Sequence, residues 1–143
     1  MYWTMAGVID PDPAFTQAKL DFFLPPRDVE RYNCAICLRS TGELIGLGGN
    51  HNWASSFGWP DVGYMIRKEH WGKGLGTEFL RGFMEGIWNK LEREVVEGLM
   101  VDKRTVEGEG VRYVDEETGK EMVREQMVAI TVEANGKSHG VLG

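Results

Sequence analysis

The stretch HWGKGLG, His70 to Gly76, sets three glycines at alternate positions between an alternating apolar run and a helical one. Glycine inside a strand or helix costs about 0.5–1 kcal/mol relative to alanine, so three at one junction mark a backbone that bends tightly or approaches another group closely. Upstream, Val62, Tyr64 and Ile66 alternate with Gly63, Met65 and Arg67, the period of a strand. Downstream, Leu75, Phe79, Phe83, Ile87 and Leu91, widened by Leu80, Met84 and Trp88, form the apolar stripe of a helix of about four turns. Gly82 and Gly86, four apart within it, are expected to bring that helix close to a sheet. Strand, glycine loop and helix in this order outline an anion site, because the first N–H groups of a helix lack intrahelical partners and the macrodipole adds positive charge there. Two common nucleotide motifs are excluded by spacing. The pattern G-x-x-x-x-G-K-S/T is absent, and Thr77 stands where G-x-G-x-x-G requires its last glycine.

A chain of 143 residues holds one domain and one sizeable core. Its net charge of -6 and pI near 5.1 oppose a general nucleic-acid binder, which needs a basic stripe, and leave small anionic ligands open. No apolar run is long enough to span a bilayer, and MYWTMAGVIDPDP lacks the order of a signal peptide, so a cytoplasmic protein without membrane partners is expected. Cys34 and Cys37 form a C-x-x-C within RYNCAICL, which reads as a strand. Residues three apart then face opposite ways, no second pair exists and the motif opens no helix, so both cysteines read as structural and no metal site is expected.

Elsewhere, Asp12 before Pro13 is a helix start, and AFTQAKLDFFL a short helix ended by Pro25 and Pro26. Residues 31–38 and 43–53 read as an antiparallel hairpin, with Gly46, Gly48 and Gly49 marking a bulge or a close backbone approach. From 92 to 125 the chain carries eleven acidic and six basic residues, and reads as a solvated charged insertion. Inside it, GVRYVDEETGKEMVRE suggests two short strands about a turn with Gly119 left-handed. Residues 127–132 read as a buried strand, and EANGKSHGVLG as a turn with the start of a helix.

Three of these stretches together resemble one family. VGYMIRKEHWGKGLGTEFL, TGELIGLGGNHNW and AITVEANGKSHGVL are similar, in order and separation, to the core of the GNAT superfamily of N-acetyltransferases, and most to the branch of the ribosomal-protein alanine N-acetyltransferases. The resemblance implies an α+β fold: a mixed, mostly antiparallel central sheet with helices on both faces, and a cofactor strand followed by glycine loop and helix. It implies a single domain over 1–143 that is incomplete at both ends, with exposed strand edges through which copies of the chain pair.

By the same resemblance the cosubstrate is acetyl-coenzyme A. Backbone groups of Met65, Ile66 and Arg67 are expected to pair with its pantetheine arm as an added strand. The family's pyrophosphate loop, Q/R-x-x-G-x-G/A, fits residues 71–76 with Trp71 at the first position, so amides of Gly72, Lys73, Gly74, Leu75, Gly76 and Thr77 are expected to hold the pyrophosphate. Asn135 matches the position that hydrogen-bonds pantetheine, and Ser138 the donor to the departing thiolate. The implied reaction is attack of a neutral amine, from a small molecule or a protein N-terminus, on the thioester, which needs a base. Asp61 and His51 are the two candidates; both are also read as ordinary surface residues, and nothing singles out His70 or His139. Trp53, Phe57 and Trp59 either line an acceptor pocket or cap the sheet end. Two other readings stay open: a catalytically inactive GNAT-like module that binds coenzyme A or a protein partner, and a different nucleotide-binding fold using the same loop.

Overall fold

The structure is a computed structural model that describes residues 10–29, 31–93, 96–130 and 140–141. Helix α1 spans Pro13–Asp21, and Asp12 caps it, its Oδ1 accepting from Phe15 N–H at 2.8 Å with proline at the first helical position. It stops at Asp21, earlier than the apolar pattern implies, where Phe22 N–H turns to the Lys19 carbonyl. None of its residues is buried, so the cap carries an unusual share of its stability. Asp12→Ala is expected to cost about 1 kcal/mol of helix stability, read as faster hydrogen exchange at the Phe15 and Thr16 amides while the sheet amides keep their protection.

Strands β1 (Tyr32–Cys37), β2 (Leu44–Asn52) and β3 (Asp61–Ile66) form an antiparallel sheet in that order. The glycines of β2 sit where no side chain fits. A Cβ on Gly48 would lie 2.5 Å from the Phe79 ring, and one on Gly46 would lie 2.2 Å from the Met65 carbonyl oxygen. Two register shifts interrupt the ladders, one between Ile36 and Cys37, the other between Asn50 and Asn52. The second makes His51 a bulged residue.

Helix α2 spans Leu75–Gly86 and covers one sheet face. Phe79 stacks on Phe83 (5.8 Å between centroids), Phe83 meets Trp88 at 6.0 Å, and Trp88 meets Trp53 at 5.2 Å, so aromatic rings form most of this core. The helix ends at Gly86 and not near Leu91; a separate 3₁₀ turn, Trp88–Lys90, tucks Trp88 into the core at 2% exposure. Gly82 and Gly86 do not mediate the approach to the sheet. Both are exposed, and a Cβ on either would meet nothing within 4 Å.

The charged segment 92–125 is mostly exposed, as its composition suggests, but it is anchored at two places. Trp59, 4% exposed, donates from Nε1 to Thr105 Oγ1 at 2.6 Å, Asp102 N–H donates to Phe57 O at 2.9 Å, and Val106 is buried beside them. At the other contact, Glu125 accepts from Trp88 Nε1 (3.1 Å) and Arg93 (2.5 Å), while the Arg93 guanidinium lies 4.5 Å over the Trp88 ring. The segment thus docks through apolar and aromatic anchors and leaves its charge outside. Phe57 and Trp59 make these contacts with the segment, and Trp53 packs on Trp88. Strands β4 (Arg112–Val114) and β5 (Glu121–Val123) pair antiparallel, with Gly119 left-handed at φ 67° and Asp115 accepting from Thr118 N–H at 2.7 Å.

The strand expected over 127–132 is present in its described part as one parallel bridge, Asp61 to Val128, and is half-buried, with Ile130 exposed. Residues 131 and 132 lie outside the described residues. Cys34 is half-buried, which pushes its thiol pKa up, and Cys37 is exposed; both are free thiols.

Candidate functional site

Pairing in an antiparallel ladder alternates between residues that bond to the neighbouring strand and residues whose N–H and C=O point the other way. Arg67 N–H donates to Ile45 O at 2.8 Å, which sets the phase on β3: Arg67, Met65 and Gly63 face β2, while Val62, Tyr64 and Ile66 face outward. Val62 confirms it, donating outward to Val128 O at 2.8 Å, and Val128 N–H in turn reaches Pro60 O at 2.9 Å. Beyond that fork no further bridge joins β3 to the described part of the 127–130 segment. Among the described residues an open edge follows, made of the Tyr64 groups and the Ile66 N–H. The Ile66 carbonyl accepts from Trp71 Nε1 at 2.6 Å. Met65 and Arg67, expected at this edge, do not lie on it: Met65 faces β2, and Arg67 donates its N–H to Ile45 O while its carbonyl accepts from His70 N–H at 2.9 Å; Ile66 alone of the three lies on the edge, and Tyr64 joins it.

At the mouth of the fork, Val62, Leu80, Met84, Met127 and Ala129 line an apolar cleft of about 290 Å³ between β3, α2 and the 127–130 segment. At its far end the chain passes from β3 through a 3₁₀ turn, Lys68–His70, into the glycine loop. Gly72 and Gly74 are left-handed, at φ 74° and 77°. Gly74 is the N-cap of α2 and offers no side chain; the first intrahelical bond is Glu78 N–H to Gly74 O, so the Leu75, Gly76 and Thr77 amides lack intrahelical acceptors. Gly76 has a second reason to be glycine, since a Cβ there would lie 3.0 Å from the Tyr64 ring. Lys73 is exposed beside the loop. Glu78, in the same turn, complements the helix dipole and competes with a bound anion for it.

On the opposite sheet face the His51 ring lies across Gly63: a Cβ there would lie 2.8 Å from its Cε1. Phe23 meets the ring edge-on at 6.2 Å. Although the ring keeps solvent access on its outer side, this packing desolvates it and lowers its pKa, and the Asp61 carboxylate opposes that shift. Asp61 Oδ1 is buried with no hydrogen-bond partner. Asn50, fully buried, donates to the Asp61 and Asn52 carbonyls at 2.9 Å each, fixing the strand ends around the bulge. The two candidate bases are therefore neighbours. His70 lies elsewhere, its Nε2 3.9 Å from Glu43 Oε1. Asn135, Ser138 and His139 lie outside the described residues. Tyr64 and Phe23 are not singled out by residue type, and Trp71 is read only as the first position of the loop pattern; the alternation along β3 holds the signal for Tyr64, and only the fold reveals Phe23 beside His51 and the Trp71 bond to Ile66 O.

A three-stranded sheet that forks at its third strand, followed by a glycine loop opening a helix, defines an α+β protein. The family described as "Acetyltransferase (GNAT) domain" matches the chain over residues 1–143, and the chain belongs to that family. No curated protein matches it. Among solved structures, a "putative ribosomal-protein-serine acetyltransferase from Vibrio cholerae" is similar at 21% identity and a TM-score of 0.37, over 50% of this chain and 38% of that one. The chain thus spans well under half the length of that protein. Among the described residues no helix is long and apolar enough to cross a membrane.

Proposed function

We propose that this chain transfers an acetyl group from acetyl-coenzyme A to a primary amine, as a cytoplasmic enzyme of the ribosomal-protein N-acetyltransferase type. The observation that carries the proposal is the open edge of β3 above the Val62–Val128 fork, leading directly to the free amides of Leu75, Gly76 and Thr77. An amide-bearing pantetheine arm fits such an edge as an added strand, and a pyrophosphate fits the helix start. Family membership supports the same cosubstrate. Tyr64 and Ile66 then hold the arm, the apolar cleft lies beside the thioester, and the amides of residues 72–77, with Lys73, hold the pyrophosphate. Roles for Asn135 on the arm and Ser138 as donor to the thiolate rest on the motif resemblance. The domain is read as 1–143 with 92–125 as a docked insertion.

Calorimetric titration of the folded chain with acetyl-coenzyme A tests this. Saturable binding that coenzyme A competes and ATP does not is the expected result. A folded sample that binds neither thioester nor coenzyme A would remove the enzyme reading, and binding without transfer to any amine would leave an inactive coenzyme A module.

A further inference from the structure

We propose that the apolar cleft at the β3 fork is an acyl-chain pocket, so that the protein binds and transfers straight-chain acyl groups of about four to six carbons in preference to acetyl. The proposal rests on the acetyl-transfer reading above and goes beyond it in the class of donor. Its first support is position. A donor arm laid along β3 as an added strand uses the Ile66 N–H and the Tyr64 groups, and meets a closed edge at Val62, whose N–H is already given to Val128 O at 2.8 Å. The end of the donor must therefore leave the plane of the sheet at Val62. Side chains two apart on a strand share a face, and Tyr64 packs on Phe79 of α2 at 6.2 Å between centroids, so Val62 also faces α2. There it lines the cleft with Leu80, Met84, Met127 and Ala129, all half-buried, and no charged side chain among the described residues joins them. On the opposite face the His51 ring covers Gly63, so the α2 side is the open way for a chain.

Its second support is size. The cleft holds about 290 Å³, whereas an enclosed apolar cavity of about 150 Å³ already holds a benzene ring. An acetyl methyl leaves most of that space unfilled, and a chain of about four to six carbons fills it. The cleft is also held open. Glu125, just before Met127, accepts from Trp88 Nε1 at 3.1 Å and from Arg93 at 2.5 Å, and Trp88 lies just past the helix that carries Leu80 and Met84. Val128, between Met127 and Ala129, is bonded to β3 through Val62 N–H and through its own N–H to Pro60 O at 2.9 Å. The two walls cannot close on each other without breaking one of these bonds, so apolar surface remains for a ligand to cover. Met84 and Met127, one on each wall, are unbranched and adapt to chains of different length. Arg93 is engaged by Glu125, so nothing in the lining pairs with an anionic chain end, and an acyl group that ends in a carboxylate is disfavoured. In the step itself the acceptor nitrogen bonds to the thioester carbonyl carbon, the C–S bond breaks, and the proton that the nitrogen loses ends on the coenzyme A sulfur. Chain length changes neither the bonds made nor the bonds broken.

Calorimetry of the full chain with acetyl-, butanoyl-, hexanoyl-, decanoyl- and succinyl-coenzyme A tests this, followed by mass measurement of the products formed with spermidine and an alanine-terminated peptide. A buried CH₂ is worth about fourfold in affinity, so hexanoyl is expected to bind at least about 20-fold more tightly than acetyl, and decanoyl to add less than about threefold to that. Succinyl is expected to fall at least about tenfold below butanoyl, which has the same number of carbons. Hexanoyl amides are expected among the products. Ala129→Phe fills the cleft and is expected to bring the hexanoyl-to-acetyl affinity ratio within about threefold of one; Met84→Ala enlarges it and is expected to move the plateau from hexanoyl toward decanoyl. Absence of binding, or of transfer from every donor, would remove the acetyl-transfer reading and this proposal with it. Wild-type affinity for hexanoyl within about threefold of acetyl, or transfer of acetyl alone, would overturn this proposal and leave that reading standing. A folded Ala129→Phe that keeps the full ratio would place the chain outside the cleft and overturn it equally. If that variant fails to fold, Met84→Ala decides, and a plateau that stays at hexanoyl overturns the proposal.

Discussion

Gly49→Ala is expected to lower the stability of this domain by about 3 kcal/mol or more, a large part of the 5–15 kcal/mol typical of a folded domain. A Cβ at Gly49 would lie 2.0 Å from the Tyr32 carbonyl oxygen, 2.9 Å from Asn33 Cα and 3.0 Å from the Tyr32 carbonyl carbon. All three are backbone atoms of the paired strand, so no side-chain rotation relieves the overlap. The φ of 152° adds backbone strain for any residue with a Cβ. Relief requires β1 to move off β2, and β1 has no other strand neighbour among the described residues to hold it. Chemical denaturation monitored by tryptophan fluorescence reads the effect. Gly42→Ala is the control, since its φ of 72° carries strain without any neighbour within 4 Å, and about 1 kcal/mol is expected there. Equal midpoints for Gly49→Ala and wild type would mean that β1 and β2 do not approach this closely.

The same glycine shows what the sequence made legible. Three glycines within one strand pattern announced a bulge or a close approach, and both occur, but the sequence did not say which glycine does which. Alternation found β3 within one residue at each end, because a half-buried strand writes its faces into every second side chain. It did not reveal which backbone groups stay free. That depends on the phase of pairing with β2, fixed by Arg67 N–H to Ile45 O, and phase is a property of two strands together. The charged segment is mostly exposed as its composition implies, but composition could not place its anchors: it reports the average, while docking depends on a few contacts such as Trp59 to Thr105 and Trp88 to Glu125, 46 and 37 residues apart. Gly82 and Gly86 misled because helical glycines were assigned to the buried side, whereas Phe79 and Phe83 occupy it. Asp61 and His51 were both found as candidates, but ten residues apart in sequence they looked like alternatives. The bulge makes them a pair.

Replacing Gly72 and Gly74 together by valine is expected to weaken acetyl-coenzyme A binding by roughly 30-fold to 10⁴-fold while the fold survives. Neither position is crowded, since a Cβ at either meets nothing within 4 Å, so the packing of the core is untouched. What valine cannot do cheaply is adopt φ 74° and 77°. A β-branched residue held in the left-handed region costs about 1–3 kcal/mol, and two such residues cost about 2–6 kcal/mol. The variant loop is free to relax into a different conformation in the absence of ligand, and then the Gly74 cap no longer presents the Leu75, Gly76 and Thr77 amides in one direction. Binding must restore that direction, so the strain appears in the affinity at about 1.4 kcal/mol per tenfold. Calorimetry with acetyl-coenzyme A measures it, and the thermal midpoint separates loop from fold: a shift of a few degrees is expected, because the first turn of α2 loses its cap while Phe79 and Phe83 keep the helix on the sheet. An affinity within about threefold of wild type in a folded variant would show that the left-handed glycines do not shape the anion site. The pyrophosphate would then have to be held by side chains, with Lys73 the first to substitute.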